Sequence, residues 1–388
     1  MIKGWKKIKN YISKFKDLTS VGIANISAMA ISSLFWLYMA SFLGEEGYGQ
    51  ISYLLATANI VSNFALIGSI DTLTVFRAKD VKIQSGLFLI VIIIAVIASI
   101  VTYFFIKSTE VSTFILGMVI FSLVLYETLG SKNYKKYMYF IITQRILTVF
   151  LSLILYFIIG LEGIVLGYAI AFLPYAIFSY KTFKDIPLNF HLIRTRLGFI
   201  INSFIKSIML TIGSYLDKLI IFPLFGAALL GNYALGYQLF SFAAIIPRIV
   251  FQYILPQESS GIRLTKLKKL TVMTSIILTI LVMVLAPIIL PIIFPGFDEA
   301  IVIVQVMSLA LIPSAISTML MSNLLAHEKI QKIVIGQSIS LTIIISGIFL
   351  LSEIYGIFGA AISFTIGNIA ECIYLCSITK LQIINRDK

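Results

Sequence analysis

Charged side chains are scarce in this chain, so chemistry must be sought where they interrupt its apolar stretches. Only 12% of the 388 residues are Asp, Glu, Lys or Arg, while 59% are hydrophobic. Arg145, Lys206, Lys218 and Arg248 lie within long apolar runs, as do the acids Asp217 and Glu371. Asp71, Glu127 and Arg77 lie near the ends of such runs. An ion at the centre of a bilayer costs at least about 2.5 kcal/mol on insertion scales, so each deep charge should face protein or water. The excess is cationic. If Arg145, Lys218 and Arg248 line one cavity, they suit an anion. Arg fits phosphate because its planar fork donates two hydrogen bonds. A lipid carrier's diphosphate is the membrane-borne anion of that kind, whereas a cationic drug would require a cavity of acids.

Other roles compete for the same residues. Asp217 lies nine residues before the glycine turn at Gly226, which sets it about 13 Å deep at the helical rise. Asp217 and Lys218 are adjacent, so they point about 100° apart on a helix and should pair poorly with each other. One is expected to face the cavity and the other to need a partner from a nearby span, with a structural ion pair as the alternative. Lys206 is expected to snorkel to the interface. Glu371 follows Ser363 and Gly367 at steps of four, a stripe that suits helix packing. Cys372 and Cys376, one turn apart in the last apolar stretch, read as packing residues. His191 and His327 fall in different loops expected to be cytoplasmic, so no metal-ligand cluster is expected.

The elements that must carry these residues are membrane helices. Twelve stretches, near 20–42, 49–70, 86–106, 112–130, 138–159, 163–180, 200–225, 231–255, 270–294, 300–325, 333–352 and 357–378, are each long enough to span. A span needs about 20 apolar residues, and without water the backbone must satisfy itself in helices or a closed barrel. Continuous runs such as Leu87–Ile97 lack the alternation of a barrel strand. The expected fold is therefore all-α, integral to the membrane. The mean hydropathy of +1.02 agrees.

The net charge of +13 is not a nucleic-acid signal, because it is sorted by side. All but five of the 30 Lys and Arg residues fall in the termini and in alternate loops. These include Lys3–Lys16, Lys79, Lys135, Arg194, Lys268 and Lys332. The opposite loops hold one Lys, Lys107, and the acids Glu45, Glu46, Glu110, Glu162, Asp298, Glu299 and Glu353. The positive-inside rule then sets both termini in the cytoplasm of a multi-pass protein of the cell membrane. Residues 1–19 read as a basic arm on the anionic lipid surface, 181–199 as a cytoplasmic linker and 379–388 as a cytoplasmic tail. No cleavage-site pattern marks the arm as a signal peptide.

The linker divides the chain into six-span halves, 20–180 and 200–378. Phe42-Leu43-Gly44-x4-Gly49 is echoed by Leu224-Phe225-Gly226-x4-Gly231, 182 residues later. Gly163-x3-Gly167 is echoed by Gly356-x2-Gly359. Six is even, so both halves enter from one side, and the repeat should be a parallel pseudo-two-fold about the membrane normal. Pro223, Pro247, Pro256, Pro287, Pro291, Pro295 and Pro313 crowd the second half, where they read as kinks.

These motifs resemble a known family. Ile31–Gly49, Gly68-x5-Thr74-x2-Arg77, Tyr215-Leu216-Asp217-Lys218-Leu219-Ile220-Ile221 and Gly226-x4-Gly231-x-Tyr233 are similar to polysaccharide and O-antigen unit flippases. That family sits in the superfamily of multidrug extruders and lipid-precursor flippases. The resemblance covers Thr19 to Ser377. It implies two bundles around a V-shaped central cavity and alternating access. The implied cargo is an isoprenoid-pyrophosphate-linked oligosaccharide, and the implied coupling ion is H+ or Na+ with no cofactor. Arg77, Asp217 and Lys218 sit in its motif positions; Arg145 and Arg248 rest on the charge argument. Asp217, Glu371 and Asp71 would set charge balance or ion coupling. Expected partners are the lipid-linked oligosaccharide, membrane lipids, a polysaccharide polymerase and glycosyltransferases. Only twelve spans are evident, which sets the chain apart from the peptidoglycan-precursor branch. A cation antiporter of the same fold is the alternative. A membrane glycosyltransferase would need a sizeable loop with paired carboxylates, and every loop is short.

Overall fold

The computed structural model describes the backbone of residues 2–384, except 186, 187, 263 and 328. Side chains are described for 22 and 24–379, except 183, 185–187, 256, 263 and 328. The basic arm and the C-terminal tail lie outside the described side chains. The described chain is all helical: α1 (Ile2–Leu66), α2 (Ser69–Ala78), α3 (Gln84–Ile106), α4 (Thr109–Gly130), α5 (Tyr134–Ile159), α6 (Leu161–Phe172), α7 (Ala176–Asp185) and α8 (Phe190–Arg194). There follow α9 (Leu197–Ala243), α10 (Ile245–Ser259), α11 (Thr265–Ile293), α12 (Ala300–Ser308), α13 (Leu311–Ala326), α14 (Ile330–Tyr355) and α15 (Ile357–Ile384). Among the described residues, ten helical stretches are long and apolar enough to cross a membrane. The two longest, Ala24–Leu66 and Leu197–Ser259, are each interrupted. Gly44 (φ 69°, ψ 178°) breaks the first and Gly226 (φ 82°, ψ −177°) the second. Only glycine adopts that region without strain.

Two compact units divide the chain. One holds residues 1–32 and 54–215, the other 33–53 and 216–388. The borders fall inside α1 and α9, so each unit draws a segment from both sequence halves.

In the first unit the core is aromatic. Phe114, Phe121 and Phe172 stack edge-on or tilted, and the Tyr175 hydroxyl donates to the Phe140 carbonyl at 2.8 Å. The 163–180 stretch is not one helix. A 3-10 turn at Leu173–Tyr175 carries Pro174, which lacks the amide an unbroken α-helix would use. Glycines fix the close approaches. A Cβ on Gly130 would stand 2.7 Å from the Leu73 carbonyl, so α2 lies directly on α4. A Cβ on Gly68 would stand 2.5 Å from the Ile200 carbonyl, so the start of α2 lies directly on α9. Gly68 is also left-handed (φ 69°) and opens α2.

In the second unit Ile221, Leu230, Tyr233, Ile303, Met307, Ile348 and Phe364 form a buried cluster. The segment 33–53 joins this unit through Tyr48, which packs with Phe297, Leu235 and Leu290. The two hairpins interlock: a Cβ on Gly49 would strike the Ala227 carbonyl, and one on Gly231 would strike the Glu45 carbonyl. Asn232 ties the same place together, donating to Glu45 and accepting from the Ala300 amide at 2.8 Å. The stripe on α15 packs helices as its spacing implies. Ser363 faces Gly347, and Gly367 faces Ser340 and Ile344, all on α14. The 300–325 stretch is two helices, broken at Leu309–Ala310 just before Pro313.

Candidate functional site

Most of the intramembrane charges are paired within their own unit. In the first unit Arg77 Nε meets Glu127 Oε1 at 3.1 Å, across the approach that Gly130 permits. Lys206 Nζ meets Asp71 Oδ2 at 2.7 Å. Lys206 is thus held by a partner 135 residues away rather than merely reaching for the interface. The sequence carries a signal for this site: Ser203, Ser207, Thr211 and Ser214 recur at helical spacing around Lys206 on α9.

In the second unit Asp217 and Lys218 pair with each other, contrary to the expectation from their angular separation. Lys218 Nζ lies 3.2 Å from Asp217 Oδ1 and 3.4 Å from Oδ2. The angle argument treats side chains as short spokes. The flexible four-carbon stem of lysine bends its ammonium back across the helix surface. The Tyr233 hydroxyl donates to Asp217 Oδ2 at 2.9 Å, and the Lys218 ammonium stands 4.1 Å from the Tyr237 ring centre. Both charged residues are only 8% exposed. A buried pair needs such additional partners, because its own attraction barely offsets desolvation. A further pair was not singled out from sequence: Lys268 Nζ meets Glu258 Oε1 at 2.6 Å and also donates to the Met319 carbonyl.

Three charges remain. Arg145 is half-buried on α5 and Arg248 exposed on α10. Neither has an acid within ion-pair distance among the described residues. They lie in different units. Glu371 on α15 packs toward Gly336, and its Oε1 is buried without a hydrogen-bond partner among the described residues. No group of three or more His, Cys, Asp or Glu among the described residues could hold a metal ion. Cys372 and Cys376 are free thiols, the first buried.

Between α2 and α9, inside the first unit, lies a cavity of about 300 Å³. Its lining includes Asn63, Asp71, Ser203, Lys206, Ser207 and Thr211. At the α12 end of the second unit, burial pushes the Glu299 carboxyl above its ordinary range, and the Glu45 carboxylate nearby adds to the shift.

No family model matches the chain, and no curated protein matches it. Solved structures do. The lipid II flippase MurJ in an inward closed conformation is 14% identical, with a TM-score of 0.75 over 93% of this chain and 87% of that one. An outward-facing MATE family multidrug resistance transporter of the MOP superfamily is 14% identical, with a TM-score of 0.64 over 96% and 97%. The eukaryotic MATE transporter AtDTX14 is 14% identical, with a TM-score of 0.63 over 96% of each chain. The fold is that of these transporters. At such identity the likeness concerns fold alone, and the cargo must be argued from this chain's own residues.

Proposed function

We propose that this chain is a membrane flippase that moves an isoprenoid-pyrophosphate-linked oligosaccharide across the cell membrane by alternating access, and is not an enzyme. The observation that carries this reading is a pair of arginines with no acid within ion-pair distance among the described residues. Asp71, Glu127 and Asp217 are matched by Lys206, Arg77 and Lys218. Arg145 in the first unit and Arg248 in the second remain, each a guanidinium available to a phosphate oxygen. Arg77 and Lys218 would engage cargo only by exchanging partners. Repeat-unit flippases of the O-antigen type are the branch whose motifs the sequence resembles.

The breaks at Gly44 and Gly226 support twelve spans, since each turns one long helical stretch into two. The same backbone break at equivalent motif positions favours a parallel repeat of 20–180 and 200–378. The sorting of basic loops favours cytoplasmic termini. Coupling to H+ or Na+ would fall to Asp71, Asp217 or Glu371, and neighbouring glycosyltransferases and a polymerase would supply and consume the cargo. Glu371 alone favours the second reading, cation antiport, because its carboxyl lacks a described counter-charge.

The test is transport of a polyprenyl-diphosphate-linked oligosaccharide by protein reconstituted in liposomes. A charge-assisted bond contributes roughly 1.5–3 kcal/mol. Arg145→Ala or Arg248→Ala should therefore weaken binding about ten-fold or more, and Lys should substitute poorly where the contact is bidentate. Full activity in both variants would remove these residues from the site.

A further inference from the structure

We propose that the cavity between α2 and α9 is a carbohydrate subsite that holds a sugar unit of the lipid-linked cargo. The proposal rests on the flippase reading above and adds to it a place where the glycan is read.

The charge of the cavity excludes the other parts of such a cargo. Among the described residues its ionic lining groups are Asp71 and Lys206, joined at 2.7 Å, so the described wall is neutral overall. A diphosphate would find no surplus cation there, and a cationic ligand no surplus acid. What remains is a small set of hydrogen-bonding side chains, Asn63, Ser207 and Thr211 beside the charge pair, on a wall that is otherwise largely apolar. Thr211 donates its hydroxyl to the Ser207 carbonyl at 2.9 Å, which leaves its oxygen to accept. Ser207 donates weakly to Asn63 Oδ1 at 3.4 Å, and Asn63 Nδ2 donates to the Asn59 carbonyl at 3.0 Å. The Lys206 ammonium carries three hydrogens, of which Asp71 takes one. Alternating donors and acceptors around a neutral charge pair match the vicinal hydroxyls of a sugar, each of which both donates and accepts. Tyr215, also in the lining, adds an aromatic ring for the apolar face of a pyranose. The volume of about 300 Å³ sits at the lower end of small-molecule sites, about 300–1,000 Å³.

The geometry is held by the backbone rather than by chance rotamers. Gly68 brings the start of α2 against Ile200 and Phe204 of α9, and Asp71 follows within the first turn of α2. Lys206 is half exposed at the pair, so a ligand can reach it.

The experiment uses the full chain in nanodiscs, with Cys372→Ala and Cys376→Ala and a single Ser207→Cys. Two probes are compared: undecaprenyl diphosphate, and the same carrier bearing one hexose. Binding of each is measured directly, and maleimide labelling at position 207 is followed with each probe bound. The expected result is that both probes bind, that the glycosylated one slows labelling about ten-fold, and that the bare one leaves it unchanged. Thr211→Val, in the chain with its native Ser207, should weaken binding of the glycosylated probe about three- to ten-fold and leave the bare carrier unaffected. Equal protection by both probes, or binding of both without protection and without a Thr211→Val effect, would overturn the sugar subsite while leaving the flippase reading intact. Binding of neither probe would overturn both.

Discussion

Gly49 and Gly231 pack reciprocally: each faces the backbone carbonyl of the residue four positions before the other, Ala227 and Glu45. The two hairpins therefore meet backbone to backbone, at the tightest approach in the second unit that a side chain could disturb. Because the opposing atom is a carbonyl, it has no rotamer with which to withdraw. Gly49→Ala or Gly231→Ala should lower stability by about 1–3 kcal/mol, the usual cost of overpacking. Thermal unfolding of the purified protein in detergent checks this. Gly213→Ala, where a Cβ meets nothing within 4 Å, should be neutral or slightly stabilising.

The Asp217–Lys218 pair should behave as a unit. Lys218→Met leaves a buried carboxylate that keeps the Tyr233 hydroxyl and a backbone amide but loses its ammonium. Removing one partner of a buried pair typically costs about 3–5 kcal/mol. Adding Asp217→Asn should recover most of that loss. A double-mutant cycle on unfolding free energies measures the coupling; additive single effects would show that the two groups act independently.

Glu299 supplies a pH signature. Its carboxyl is raised by burial first and by Glu45 second. A raised acid favours the protonated folded form. Its contribution is therefore fully present below the unfolded-state value and is lost as pH rises through the folded-state value. Glu299→Gln should thus gain stability relative to the native chain toward neutral pH, with the gain shrinking on acidification. Unfolding midpoints of both proteins across the acidic-to-neutral range give the comparison.

The proposed orientation sets Glu46 outside. A single cysteine at that position should react with an impermeant maleimide in whole cells. Labelling only after the cytoplasmic face is opened would reverse the orientation and, with it, the direction of transport.

What the sequence disclosed followed from local rules. Apolar length identified membrane helices, and the spacing Gly44-x4-Gly49 and Gly226-x4-Gly231 marked the two breaks that the backbone adopts. Breaks within spans were harder to see. Leu309–Ala310 divides a stretch that stays largely apolar on both sides, so hydropathy carries no mark of it. Charge pairing was least legible. Lys206 and Asp71 are 135 residues apart, and only helix packing brings them together. Asp217 and Lys218 were misjudged because a rule about helix angles says little of a side chain as long as lysine. Arg145 and Arg248 stand out in one dimension as charges within apolar runs, as Lys206 does, but which of these charges has an acid beside it shows only in three dimensions.

The adjacency of Asp217 and Lys218 bears on how the protein is made. Their charges cancel within two consecutive residues of a single helix, so the segment can leave the insertion machinery as a dipole rather than as two bare ions. Tyr233, sixteen residues later, completes the arrangement once the following helix arrives. Lys206 depends instead on Asp71, synthesised far earlier and already in the membrane. For Lys206 and Lys218, the order of residues along the chain thus supplies the carboxylate no later than the moment the lysine enters the lipid.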